Sequence, residues 1–237
     1  MNKLMKSPTI RWAAIALVVV AVALGAFLAG RSTGGQSVQA QQEQTTTSSA
    51  PGPLGDQARR EEGDIFALGD PEAPISMVVY SDYRCPFCAR YSNVSEPVII
   101  ERFVESGQVR MEWRDFPVFG DASMLGARAG RAAAEQGLFW EFNEAVFAAA
   151  PSNAHHDLTP EKLLGFAEQV GVPDLERFEE EMLSEDFDEE IASDMLQGRM
   201  LGISGTPSFV IGGYALVGAQ PTEVFIDVIE QTLAEVQ

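Results

Sequence analysis

Cysteine is nearly absent: the 237 residues hold two, Cys85 and Cys88, both within SDYRCPFCARY. A framework of several disulfides is therefore excluded. Positive charge is also scarce. Sixteen Lys and Arg face 35 Asp and Glu, for a formal net charge of −19, so the chain lacks the basic surplus that a general nucleic-acid binder uses to neutralise phosphates. No internal repeat and no phosphate-binding glycine loop occur. What is present suffices for a core: hydrophobic residues make up 46% of a chain long enough for one medium domain with an appendage, or two small ones. The acids crowd between Asp174 and Glu190. They read as a solvated helix face, with a docking surface for a basic partner as the alternative.

The N-terminus stands apart from any fold. Lys3, Lys6 and Arg11 precede an uncharged apolar run, Trp12 to Gly30. A membrane span needs about 20 residues, whereas the apolar core of a cleaved signal has roughly 7–15. The nearest small-residue cleavage site, Val38-Gln39-Ala40, lies well downstream, and no lipoprotein-type cysteine is present. The expectation is a cytoplasmic tail over 1–11, a retained transmembrane helix over 12–30, and everything after Arg31 outside, because basic residues favour the cytoplasmic side. Residues 31–62 are dominated by Gln, Ser, Thr, Gly and Pro. Such a stretch cannot bury enough surface to offset its ordering entropy and reads as a flexible linker, with a reach on the order of 30 Å.

Residues 63–237 read as the folded domain. DIFALGD suits a short edge strand, and PISMVVYSD a buried central strand. A helix should start at Pro86, since proline is favoured in a first turn, and run to about Ser106, with a kink at Pro97 and a stop at Gly107. QVRMEWRDFP is the next strand, and strand–helix–strand predicts a parallel pair. From 121 to about 201 the pattern is helical, with Thr159-Pro160 opening one helix and Phe166, Phe178, Met182 and Ile191 expected in its core. TPSFVIGGYALVG reads as a hairpin turning at Gly212-Gly213, and the chain closes with an amphipathic helix carrying Val224, Ile229 and Leu233 inward.

A Cys85–Cys88 bridge would be a poor staple. Closing a loop of about four residues contributes roughly 2 kcal/mol, against about 3 for fifteen, and ties nothing distant together. Its place favours chemistry instead. Cys85 stands between a buried strand and a helix start, where free N–H groups and the helix dipole favour a thiolate. Cys88, one turn further in, is positioned to resolve a mixed disulfide. Cys85 is expected to be the more exposed and the more acidic thiol. The rival reading is zinc, with His155-His156 completing a site. It is disfavoured because structural zinc sites space their histidines by several residues and because adjacent loop histidines are ordinarily just exposed.

SDYRCPFCARY, RDFP, EQGLFWEFNEAVF, LGISGTPSF and LVGAQP occur in an order that resembles the DsbA-like thiol–disulfide oxidoreductases, most of all their membrane-anchored or secreted bacterial members. The resemblance runs from about Asp64 to the C-terminus. It implies an α/β thioredoxin-like fold, a mixed parallel and antiparallel sheet with an inserted helical subdomain over about 121–201. Read from the residues alone, Pro207 is either a strand-start proline or a cis proline. The resemblance implies cis, facing the cysteine pair, with Thr206 presenting backbone groups to an extended peptide beside Cys85. It also implies Cys85 and Cys88 as catalytic residues, flanked by Pro86, Phe87, Thr206 and Pro207, with neither metal nor organic cofactor.

Two departures matter. The strongly oxidising relatives carry Pro-His between the cysteines, and Phe87 offers no hydrogen bond or charge to a thiolate, which implies a weaker oxidant. A second cysteine pair found in some relatives has no counterpart here. The expected function is a membrane-tethered, extracytoplasmic oxidoreductase that donates its disulfide to exported polypeptides and is reoxidised by an unidentified redox partner. The alternatives are a reductase or isomerase of the same fold, and a non-redox thioredoxin-like binding or zinc module.

Overall fold

A computed structural model describes residues 51–236. The expected tail, the membrane helix Trp12–Gly30 and most of the expected linker lie outside the described residues. Among the described residues no helix is long and apolar enough to cross a membrane.

The frame is a five-stranded sheet in the order β1-β3-β2-β4-β5: β1 (Ala67–Leu68), β2 (Ile75–Ser81), β3 (Val109–Asp115), β4 (Ser208–Ile211) and β5 (Tyr214–Val217). β2 and β3 run parallel, and the other pairs are antiparallel, so the sheet is mixed as expected. Every residue of β2 is buried. This is the signature of a strand covered on both faces, and successive side chains do point to opposite layers. Met77 and Val79 pack with Phe209, Phe225 and Ile229 on one side, and Val78 and Tyr80 with Phe116 and Val210 on the other. β4 pairs with β2 so that Tyr80 faces Ser208. That register brings the Thr206–Pro207 peptide, just before β4, up against the chain that leaves β2 toward Cys85.

The helix after the cysteines is more broken than the proline kink predicts. It divides into α1 (Pro86–Val94), α2 (Glu96–Ile99) and a π-helical turn, Ile100–Val104. Pro97 has no N–H to give to the carbonyl one turn earlier, and it sits in the first turn of a restarted helix, where that loss matters least. Gly107, at φ +74°, ends the run.

The helical insertion comprises α3 (Asp121–Ala134), α4 (Phe139–Ala148), α5 (Pro160–Val170) and α6 (Leu175–Leu183). Thr159 caps α5 as expected. Phe178, Met182 and Ile191 are buried, whereas Phe166 is half-buried. The last helix of the predicted insertion, α7 (Asp188–Met200), returns to the sheet: Asp194 accepts the Asp115 N–H at 3.1 Å, and Gln197 accepts from Arg114 at 3.0 Å. The acids of Asp174–Glu190 lie mostly on the outer faces of α6 and of the first turn of α7, where Arg177 pairs with Glu181 at 2.7 Å. In the closing helix α8 (Thr222–Val236) the buried seam is Phe225, Ile229, Thr232 and Leu233, with Val224 only half-buried.

Residues 51–62, expected within the flexible linker, are instead docked. Gly52 and Leu54 give their N–H groups to the carbonyls of Gly212 and Gly213 at 2.9 and 3.0 Å. A Cβ on Gly52 would lie 2.2 Å from the Gly213 carbonyl carbon, so only glycine permits this approach. The N–H groups of Arg59 and Arg60 bond to the Glu112 carboxylate at 2.8 and 3.0 Å. Polar bonds to the sheet order this segment, helped by Leu54 and Ala58 packing against the cluster of Val78, Tyr80, Phe116 and Val210, and composition does not register these contacts.

Candidate active site

Cys85 is the N-cap of α1, with extended backbone at φ −75°, ψ 119°. Its N–H goes to the Asp82 carbonyl at 3.0 Å, and its carbonyl accepts from Ala89 at 3.1 Å. The side chain therefore sits at the open end of the helix. Its Sγ lies 3.3 Å from the Thr206 carbonyl oxygen, across the cis Thr206–Pro207 peptide that the resemblance implies. The structure thus brings together Cys85, Cys88, Pro86, Phe87, Thr206 and Pro207.

Exposure does not separate the two thiols, contrary to expectation: Cys85 is 1% exposed and Cys88 0%. Acidity does. A hydrogen bond from the Cys88 thiol, opposed by burial and joined by the Thr206 side chain and the N–H groups of Cys88 and Phe87, lowers Cys85 to about 6. Burial, together with the neighbouring Cys85, pushes Cys88 well above the ordinary thiol range, with Ser81 offering partial relief. The same pair of sulfurs is thus divided into a stabilised thiolate and a thiol that holds its proton.

Two residues that sequence reasoning passed over build the loop around Cys85. Asp82 is buried, and burial raises its pKa. Its carboxylate nonetheless accepts from the N–H of Arg84 at 2.8 Å and of Val118 at 2.7 Å. It joins the cysteine loop to the loop after β3. Arg84 sends its guanidinium to the carbonyls of Phe119 and His156, joining a third loop. The signal was available in SDYRC, since an aspartate beginning a turn bonds to the backbone two residues on.

Beneath the loop, Tyr83 stacks on Phe147 at 5.3 Å and leans on Trp113 at 5.4 Å. A Cβ on Gly130 would lie 2.4 Å from the Tyr83 hydroxyl oxygen, which is why α3 needs a glycine there. The aromatic motif of α4 is packing that supports this floor.

Above the sulfur opens a cleft of about 590 Å³, lined by Cys85, Phe87, Phe119, His155, Gly205 and Thr206 among others. Phe87 is 58% exposed there, an apolar surface offered to solvent. The two histidines go to different neighbours: the His155 ring lies tilted against Phe119, and His156 is buried against Phe166. Among the described residues no three His, Cys, Asp or Glu side chains are placed to share a metal ion.

The family profile described as Thioredoxin matches residues 61–231. Over 148 residues the chain is 36% identical to the Na(+)/H(+) antiporter NhaA 3 of Salinispora tropica, covering 61% of this chain and 21% of that protein. The chain thus spans about a fifth of the antiporter's length. Over 150 residues it is 29% identical to the probable disulfide bond formation protein D of Bacillus anthracis, covering 62% of this chain and 69% of that one. The fold resembles oxidised BdbD from Bacillus subtilis, with a TM-score of 0.67 at 24% identity over 71% of this chain and 92% of that one. Chlamydia trachomatis DsbA gives a TM-score of 0.63 at 23% identity, over 75% and 95% of the two chains. The profile spans most of the described residues, and the chain belongs to the thioredoxin family.

Proposed function

We propose that the chain is an extracytoplasmic enzyme that donates a Cys85–Cys88 disulfide to exported polypeptides as they fold. The observation that carries this reading is the opposed acidity of the two sulfurs. A substrate thiolate attacks Cys85 Sγ. The Cys85–Cys88 bond breaks, and the Cys88 sulfur leaves with the electron pair and takes up a proton, as its raised pKa favours. A second substrate thiolate then attacks the substrate sulfur of the mixed disulfide. Cys85 leaves as a thiolate, an easy departure for a group at about 6. Two substrate thiols become one disulfide, and two electrons remain on the enzyme for a membrane partner or external oxidant to remove. The chemistry uses only sulfur and protons. Pro86 and Phe87 on one side of the cleft, with Thr206 and Pro207 on the other, hold the peptide.

The chain is tethered by Trp12–Gly30 with its catalytic domain outside the cytoplasm. A reporter fused after Gln237 is expected to be active only there, and cytoplasmic activity would reverse this assignment. One observation favours a second reading, reductase or isomerase: two residues after Cys85 stands Phe87, whose apolar ring offers the thiolate neither a hydrogen bond nor a charge. The reduction potential measured against glutathione decides. A donor is expected above about −230 mV, while a value near −270 mV or below, in the range of thioredoxin, sinks the donor reading.

A further inference from the structure

The His155–His156 pair supplies no sulfur and no leaving group to the exchange. His155 is exposed, its ring 4.2 Å from that of Phe119, and it lines the same cleft as Cys85 and Thr206. Its Nδ1 lies 3.3 Å from the Arg84 carbonyl oxygen. A carbonyl oxygen only accepts, so Nδ1 carries the hydrogen and Nε2 carries the lone pair. Arg84 immediately precedes Cys85. The ring is therefore fixed to the nucleophile's own loop, and two more bonds brace it: the His156 N–H to the Arg84 carbonyl at 3.1 Å, and Arg84 Nε to the His156 carbonyl at 2.9 Å. The charged groups nearby are occupied elsewhere. The Arg84 guanidinium faces carbonyls, and Asp157 pairs with Lys162 at 2.8 Å.

A donor disulfide has a need that Cys85 cannot meet. The attacking group is the thiolate, yet an ordinary cysteine with pKa about 8.5 is only a few per cent ionised at pH 7. While Cys85 is held in a disulfide, His155 is, among the described residues lining the cleft, the one side chain that offers a basic nitrogen lone pair.

We propose that His155 is a catalytic base for the incoming thiol, its Nε2 taking the proton of a substrate cysteine seated in the cleft against Phe119 and Thr206. This rests on the donating direction proposed above. The substrate S–H bond breaks, and its proton forms the imidazolium. The freed sulfur attacks Cys85 Sγ, and Cys88 departs with the electron pair. The imidazolium returns its proton to water as Cys88 takes one up, so the step is proton-neutral. The site selects ordinary cysteines in extended peptide, the thiols that need activation.

The test uses the oxidised full chain at pH 7 with two probes: a cysteine peptide of ordinary acidity, and a nitro-substituted aromatic thiol that is already ionised. His155→Phe keeps a ring on Phe119, and His155→Gln keeps a polar group; neither can take the proton. The readout is the ratio of the two second-order rate constants, peptide over aromatic thiol. It is expected to fall about tenfold in both variants. The ceiling is about thirtyfold, set by the thiolate fraction, and lower nucleophilicity of a more acidic thiol recovers part of that. A ratio that stays put overturns the proposal, whether both rates hold or both fall together, since a ring that merely braces the loop would affect the two probes alike. A ratio that rises also overturns it. Failure of the unsubstituted protein to exchange with the aromatic thiolate would sink the donor reading instead.

Discussion

Two anionic sites are buried in this domain to nearly the same depth and are built in opposite ways. On β3, Glu112 is 0% exposed. Burial pushes its pKa up, but hydrogen bonds from Arg110 at 2.6 Å and Arg114 at 2.8 Å, with the Arg59 N–H, outweigh that and hold it at about 2. In the loop after β2, Cys85 is 1% exposed, and among the described residues no cation pairs with it: its supports are the Cys88 thiol, the Thr206 side chain and helix-start N–H groups. Even Arg84, its neighbour in sequence, turns its guanidinium away to Phe119 and His156. Full cationic pairing yields a group that never changes state near neutral pH. Support from neutral donors leaves Cys85 at about 6, close enough to ambient pH for both thiol and thiolate to be reached, as an exchanging sulfur requires.

The hardest blow to this contrast falls on the paired side. Glu112→Gln keeps the shape, takes from buried Arg110 its counter-charge and leaves buried Arg114 with only Asp194 at 3.8 Å, and it weakens the hold on residues 59–60. Unmatched buried charge costs about 3–5 kcal/mol, to be read from denaturant unfolding at pH 7. Exchange by the folded variant should persist, since Glu112 touches nothing in the cleft. The sign with pH follows from the depressed value. The unfolded carboxyl titrates near 4.3 and the folded one at about 2, so the contribution of Glu112 is complete above about pH 4.3 and is lost as pH falls toward 2. The variant should lack that part of the acid loss. A change below about 1 kcal/mol would mean that the network is a set of screened surface pairs, and the contrast would fail.

These two sites differed equally in how legible they were. The strand, the helix-start proline and the CxxC spacing are local, so Cys85, Pro86 and the buried β2 could be read directly, and the turn glycines marked the β4–β5 hairpin. The Glu112 network could not be read, because it joins residues 59–60, 110–115, 131 and 194, which come together only after folding. For the same reason residues 51–62 passed for linker, and α7 for part of the insertion. His155 was visible as one of only two histidines, but the carbonyl that orients it and the cleft it lines belong to the fold.

The smallest effect sharpens the other side. If Cys85 is tuned by the lack of a nearby cation, supplying one should move it in a known direction. Phe87 is exposed on the rim of the cleft in the first turn of α1, so Phe87→His buries nothing new and should cost little stability. A protonated imidazole there adds a charge-assisted hydrogen bond to the thiolate but has far less to offer a disulfide, which carries no charge. The reduced form is stabilised more than the oxidised form, and the reduction potential rises. For this two-electron couple about 1.4 kcal/mol corresponds to 30 mV, so one such bond is expected to lift the potential by roughly that amount. The pH midpoint of Cys85 alkylation, expected near 6 in the natural sequence, should fall in step. The two readouts must agree in sign, because both report the same thiolate. A potential that drops, or a midpoint that moves without it, would show that the apolar ring at position 87 tunes the oxidised form, and that charge beside Cys85 is not what separates this site from the one on β3.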